Sequence, residues 1–147
     1  MSQENAHPSL QPDHGYVLLV VLAAFIVNGW ASLNVVSARA KFGVEYPQMY
    51  VEKDEPHFNA FNCVQRAHQN MLEHLSLHLM TLLASSLYRP KLAAIAGVVR
   101  LLGFVAYIHG YSSGDPQKRL RGVFGFWGYF AAIGLTVEAA LRLLGVA

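Results

Sequence analysis

The feature that most constrains the fold is an uncharged apolar run near the N-terminus, at residues 16–36. About twenty such residues are the length that an α-helix needs to cross the hydrocarbon core of a bilayer. Within that core every backbone N–H and C=O must bond inside the protein, so only helices and closed barrels are stable there. The period-two alternation of a barrel strand is absent from the sequence. We therefore expect an all-α integral membrane protein.

The composition supports a membrane protein and excludes several other classes. Of the 147 residues 54% are hydrophobic and 14% are charged, whereas about a quarter of the residues of a soluble domain carry charge. The formal net charge is only +2 and the basic residues form no long run, so nucleic acid is not an expected partner. The single cysteine, Cys63, excludes an internal disulfide and a paired-cysteine metal site. We expect no metal site.

Three more apolar segments follow the first, and a polar tail precedes it. Residues 1–14 are polar and contain two prolines, so we expect a disordered tail. They lack the basic region of a secretory signal, so we expect the first apolar segment to be retained. Residues 15–147 then form one domain, with helices predicted at about 16–38, 58–88, 91–111 and 120–144. Pro90 ends the second helix because the residue before a proline is disfavoured in helical geometry. The short connections predict a bundle of four transmembrane helices.

The basic residues of the loops predict an orientation in the membrane. Most of them fall in the first and third loops, and few lie on the opposite side. Short loops rich in Lys and Arg stay in the cytoplasm. We therefore expect the first and third loops to be cytoplasmic and both termini to lie on the other side.

The second apolar segment begins with a polar stretch, residues 62–74, that is costly to place in a membrane. Each charged side chain at the centre of a membrane helix costs about 2.5–3.5 kcal/mol on the insertion scale, and such residues are usually functional. At about 100° per residue, Arg66, Asn70 and Glu73 share one helix face, and His74 lies at its edge. The stretch therefore presents a cation, an amide and an anion in neighbouring turns.

Two interpretations of this face are open. Arg66 and Glu73 could form an internal ion pair, with Tyr107 and Tyr111 of the third helix acting as interfacial anchors. Alternatively, these groups converge at one depth and bind a small zwitterion. Arg would then pair with its carboxylates and Glu with its ammonium group.

The motifs resemble those of a known family. The run Asn-Cys-Val-Gln-Arg-Ala-His-Gln-Asn at residues 62–70, with Glu73, resembles the helix-two signature of the membrane-associated proteins in eicosanoid and glutathione metabolism, abbreviated MAPEG. Residues 44–50 and 110–119 are similar to the type-3 microsomal glutathione S-transferase branch. The resemblance covers about residues 15–144. It implies a homotrimer of four-helix subunits, with one glutathione site at each subunit interface.

The resemblance also implies which residues form that site. The catalytic arginine of the family matches Arg119 if the turn at residues 114–116 holds an extra residue, and otherwise Lys118. We prefer Arg119, because a guanidinium keeps its charge in a partly buried site. His68 points away from Arg66 and is expected to serve a neighbouring subunit's site. The positions that match glutathione-contacting residues are Arg39, Arg66, His68, Asn70, Glu73, His74, Tyr107 and Tyr111.

The implied function is that of a membrane glutathione transferase and peroxidase. Glutathione, activated as its thiolate, would attack a lipophilic electrophile, as leukotriene C4 synthase does, or reduce a lipid hydroperoxide. The expected partners are glutathione, that second substrate, membrane lipid and two further copies of the chain. The alternative is a non-catalytic lipid-binding scaffold, resembling the lipoxygenase-activating member of the family.

Two residues of possible chemical interest, Cys63 and Arg100, are not part of the predicted glutathione site. Cys63 is expected to be a bystander, because the attacking sulfur belongs to glutathione. Phe104 stands where the family commonly has an arginine in its third helix, and Arg100 lies one turn earlier. Whether Arg100 takes the place of that arginine is open. The expected location is the endoplasmic reticulum in a eukaryotic cell, or the inner membrane in a bacterium.

Overall fold

The computed structural model describes residues 9–146, whose regular secondary structure is entirely helical, with no strand. The helices are α1 (His14–Phe42), α2 (Phe58–Ser85), α3 (Pro90–Tyr111), a 3₁₀ helix (Pro116–Gly122) and α4 (Gly125–Leu143). The all-α prediction is confirmed for this part of the chain. The prediction of a disordered tail falls mostly on residues 1–8, which lie outside the described residues.

The local sequence explains where α1 ends and where α3 begins. Gly43 has a φ of 68°, and its amide donates to the carbonyl of Arg39. This left-handed conformation suits glycine and ends α1 one turn beyond the predicted boundary. Pro90 lies in the first turn of α3, where a missing N–H costs no helical hydrogen bond. The connection between α2 and α3 is therefore short, and the two helices form an antiparallel hairpin.

The predicted fourth helix, continuous from residue 120, is wrong in its first part. Residues Pro116–Gly122 form a separate 3₁₀ helix, whose axis is bent by 44° from that of α4. Asp115 starts it, since its side chain accepts a hydrogen bond of 3.0 Å from the amide of Gln117. Glycine is a poor helix former, and Gly122 and Gly125 flank the break. As a result Arg119 lies on the 3₁₀ helix and not on α4.

The centre of the bundle is α3, which packs against α1, α2, the 3₁₀ helix and α4. Glycines bring α3 and α4 into close contact, because a Cβ at Gly103 would collide with the backbone of Gly125. Small residues commonly allow such close approach between membrane helices. The main core cluster lies between α1, α2 and α3 and includes Met71, Phe104 and Ile108.

Many large apolar side chains lie on the outside of the bundle, among them Leu18 and Phe25 of α1 and Trp127 and Phe130 of α4. In the described residues α1 and α3 are long and apolar enough to cross a membrane, and the 3₁₀ helix with α4 makes a third span if the bent pair counts as one. Helix α2 is long enough to cross a membrane but is not apolar enough, because its first half contains the polar stretch at residues 62–74. The count of four spans therefore stays a prediction.

Candidate functional site

A cavity of about 180 Å³ lies between α2, α3 and the 3₁₀ helix and reaches the start of α4. It contains four of the residues that the sequence predicts for one site: Asn70, His74, Tyr107 and Arg119. The cavity is also lined by Arg100, Gly103, Phe104, Leu120, Gly122, Val123 and Phe126.

Helix packing explains why these side chains meet. Asn70 and His74 are one turn apart on α2, and the Nδ1–H of His74 donates to the carbonyl of Asn70 over 2.9 Å. The 3₁₀ helix lies directly on α3, since a Cβ added at Gly122 would come within 2.6 Å of the Cβ of Tyr107. This contact places Arg119 beside Tyr107, although the two residues are on different helices.

Arg119 and the two predicted tyrosines form one connected group. The rings of Tyr107 and Tyr111 meet edge to face, with 5.5 Å between centroids. The guanidinium carbon of Arg119 lies 5.8 Å from the centroid of Tyr111, within the range of a cation–π interaction. These contacts hold the Arg119 cation at the end of the cavity near residues 107–111.

Lys118, the alternative to Arg119, lies elsewhere. Its ammonium group is 3.8 Å from a carboxylate oxygen of Asp115. It lines a second cavity of about 630 Å³, between α1, the start of α2 and the end of α3, together with Lys41 and Arg121. Of the two candidate cations, only Arg119 shares a cavity with Asn70, His74 and Tyr107.

Arg66 and Glu73 form a bidentate ion pair, with N···O distances of 2.6 and 3.1 Å. Their side chains are 41% and 40% exposed. Within one chain, Arg66 and Glu73 therefore form the internal ion pair that the first interpretation predicts. Exposed ion pairs contribute little to stability, because water screens them and side-chain entropy opposes them. Such a pair can open when a ligand offers each charge another partner.

Two further predicted residues lie apart from the cavity. Arg39 stacks on Tyr46, with 4.3 Å from its guanidinium carbon to the ring centroid, and donates to the carbonyls of Val44 and Glu45. His68 shares a hydrogen bond of 3.2 Å with the Oδ1 of Asn28 on α1. Within one chain neither side chain joins Asn70 and Tyr107. Cys63 is buried in α2 and lines neither cavity.

Arg100 also lines the cavity, although it is not among the site residues that the sequence predicts. Its residue is 5% exposed, and its guanidinium carbon lies 4.2 Å from the ring centroid of Phe104. One signal in the sequence points to it: an arginine in the middle of an apolar segment, where charge is costly.

Comparison with known proteins identifies the family. The model of the MAPEG family matches residues 17–141. The chain belongs to the MAPEG family. An uncharacterised protein of Synechocystis sp. is 38% identical over 113 residues, which are 76% of this chain and 76% of that protein. With its exposed apolar helices, this MAPEG protein is a multi-pass integral membrane protein. Its function lies among the glutathione-related transferases and lipid-binding proteins of membranes.

Proposed function

We propose that this MAPEG protein is a membrane glutathione transferase with glutathione peroxidase activity, of the type-3 microsomal branch. The observation that carries the proposal is the cavity that Arg119 shares with Asn70, His74 and Tyr107. A lipid-binding scaffold needs no cation beside an amide, an imidazole and a phenol. An enzyme that stabilises a thiolate needs a cation at such a position.

Glutathione would bind as a zwitterion along the polar face of α2. Arg66 would pair with a carboxylate in bidentate fashion, and Glu73 would hold the ammonium group. Their ion pair of 2.6 Å keeps both groups in place before the ligand arrives. Asn70 and His74 continue the same face into the cavity and would bind the peptide groups.

Arg119 would activate the thiol. A free cysteine thiol titrates near about 8.5, and only its thiolate is an effective nucleophile. A guanidinium beside the sulfur stabilises the thiolate and lowers the pKa of the bound thiol. The thiolate attacks an electrophilic carbon and forms a thioether; at an epoxide the C–O bond breaks and its oxygen takes up a proton. With a lipid hydroperoxide it attacks the peroxide oxygen and breaks the O–O bond, and a second glutathione then completes reduction to the alcohol, water and glutathione disulfide.

The complete site would form between subunits of a homotrimer with four membrane spans per chain. Arg39 lies outside the cavity of its own chain and would reach that of a neighbour. His68 would do so after exchanging its bond to Asn28. The end of α1 that carries Arg39 and the 3₁₀ helix that carries Arg119 would both face the cytoplasm, where glutathione is abundant. The lipophilic substrate would enter from the bilayer.

The test is the ultraviolet difference spectrum of the protein with glutathione at neutral pH. We expect thiolate absorbance in the wild type and its loss in Arg119→Ala. Lys118→Ala is the matched control, because Lys118 pairs with Asp115 at the other cavity, and it should retain the absorbance. Loss in Lys118→Ala with retention in Arg119→Ala would transfer the role to Lys118. A wild type without thiolate absorbance that still binds lipid would make the protein a scaffold.

A further inference from the structure

Arg100 is a buried cation for which the described chain offers no acidic partner. It lies in the middle of α3 and is 5% exposed. An isolated charge is costly to bury, and buried charges are normally paired or hydrogen-bonded. The ion pairs in residues 9–146 all involve other cations: Arg66–Glu73, Arg89–Glu138, Arg142–Glu138 and Lys118–Asp115.

Aromatic rings surround the guanidinium group of Arg100 but offer no oxygen or nitrogen acceptor in its plane. Its carbon lies 4.2 Å from the centroid of Phe104, 4.9 Å from that of Phe126 and 5.4 Å from that of Tyr129. Rings stabilise the face of a guanidinium, whereas its N–H donors point outward in its plane. Its buried Nε has no hydrogen-bond partner in the described residues. The group therefore lacks an in-plane acceptor, and a carboxylate with two oxygens fits that geometry.

The cavity gives a ligand access to Arg100. Arg100 and Arg119 line the same cavity, and Arg100 precedes Tyr107 by about two helical turns, or about 10 Å along α3. Leu120, Val123 and Phe126 also line it and are exposed on the outer surface of the bundle. An amphiphile in the bilayer can thus approach over apolar side chains.

The size of the cavity limits what it encloses. Its volume of about 180 Å³ is below the range of about 300–1,000 Å³ that surrounds a whole drug-sized ligand. It can hold the head of an amphiphile while the acyl chain stays against the exposed apolar side chains.

We propose that Arg100 binds the carboxylate of an amphipathic second substrate, which makes fatty-acid-derived hydroperoxides or electrophiles the preferred substrate class over their neutral esters. The identity of the reaction rests on the proposed function. The anion site rests on the buried, unpaired guanidinium that lines the cavity. Arg100 is thus a specificity-determining residue, distinct from Arg119, which acts on the thiol.

The test compares linoleic acid hydroperoxide with its methyl ester, using the full chain in lipid nanodiscs with glutathione. The wild type should favour the acid by about tenfold or more in kcat/KM, as expected for a hydrogen bond to a charged group. In Arg100→Gln the ratio of acid to ester should fall to about one, and Arg100→Lys should keep part of the preference. Arg89→Gln, which removes an exposed arginine paired with Glu138, should keep the wild-type ratio.

The ratio is measured within one protein preparation, so loss of folded protein cancels from it. An unchanged ratio in Arg100→Gln would overturn the proposal. So would a raised KM for glutathione without a change in the ratio, since Arg100 would then bind a carboxylate of glutathione.

A binding experiment separates failure of this inference from failure of the proposed function. If the wild type turns over neither substrate, the peroxidase part of the proposed function fails, and displacement of a fluorescent fatty acid by oleate and by methyl oleate still tests Arg100. Preference for oleate in the wild type and its loss in Arg100→Gln would support the anion site. Equal displacement curves for the two proteins would refute it.

Discussion

At the level of single residues, the Arg66–Glu73 pair is compatible with both an internal ion pair and a binding site for a zwitterion. Spacing of seven residues predicts that both side chains share a face of α2, and the structure joins them over 2.6 Å. The pair is exposed, so it adds little to the stability of the bundle. Its charges are instead available to a zwitterion, which would exchange one ion pair for two.

Glu73→Gln should therefore weaken glutathione binding strongly while the thermal unfolding of the protein changes little. Glu138→Gln is the matched control, because Glu138 is also a salt-bridged glutamate, held by Arg89 and Arg142 in a different part of the bundle. It should leave glutathione affinity unchanged. Titration calorimetry and unfolding in detergent measure the two effects. If Glu73→Gln lowers stability and spares binding, the pair is structural.

At the level of helices, glycine contacts along α3 position both the 3₁₀ helix, which carries Arg119, and α4. The 3₁₀ helix and α4 are bent by 44° at the glycine-flanked break, and α4 rests on α3 through Gly103 and Gly125. The 3₁₀ helix, which carries Arg119, lies on α3 where Gly122 meets Tyr107. The absence of side chains at these glycines lets both the 3₁₀ helix and α4 pack closely on α3. The candidate site thus depends on backbone packing as well as on its own side chains.

Gly103→Val should destabilise the protein, because a side chain there would collide with the backbone of Gly125. Overpacking of this kind costs about 1–3 kcal/mol. It should also move Arg119 and reduce thiolate formation on bound glutathione. Gly134→Val is the control on α4, since a Cβ there meets no atom within 4 Å. Melting curves and the thiolate spectrum should both distinguish the variants, and equal behaviour would contradict the role of this contact.

At the level of the assembly, the site proposed for glutathione is incomplete in one chain. Arg39 is held by Tyr46 and by nearby carbonyls, outside the cavity that contains Arg119. A neighbouring subunit in a homotrimer would supply it.

Mixed trimers test this arrangement. Arg39→Ala and Arg119→Ala homotrimers should each be inactive. Co-assembly of equal amounts should restore activity to about a quarter of the sites, since an intact site then takes Arg39 from one chain and Arg119 from the next. Homotrimers mixed after assembly are the control and should stay inactive. Activity that does not return on co-assembly would place both arginines in one subunit's site or exclude a shared site.

The amino-acid sequence was sufficient to predict the helical fold, the approximate helix ranges and the polar face of α2. These follow from runs of apolar residues, from prolines and from helical periodicity, all of which are local. Only the tertiary structure decided that Arg119 and not Lys118 shares the cavity, that the chain breaks before α4, and that Arg100 is buried beside that cavity without an acidic partner. These depend on contacts between helices distant in sequence, where the absence of a Cβ at a glycine sets how closely two backbones pack.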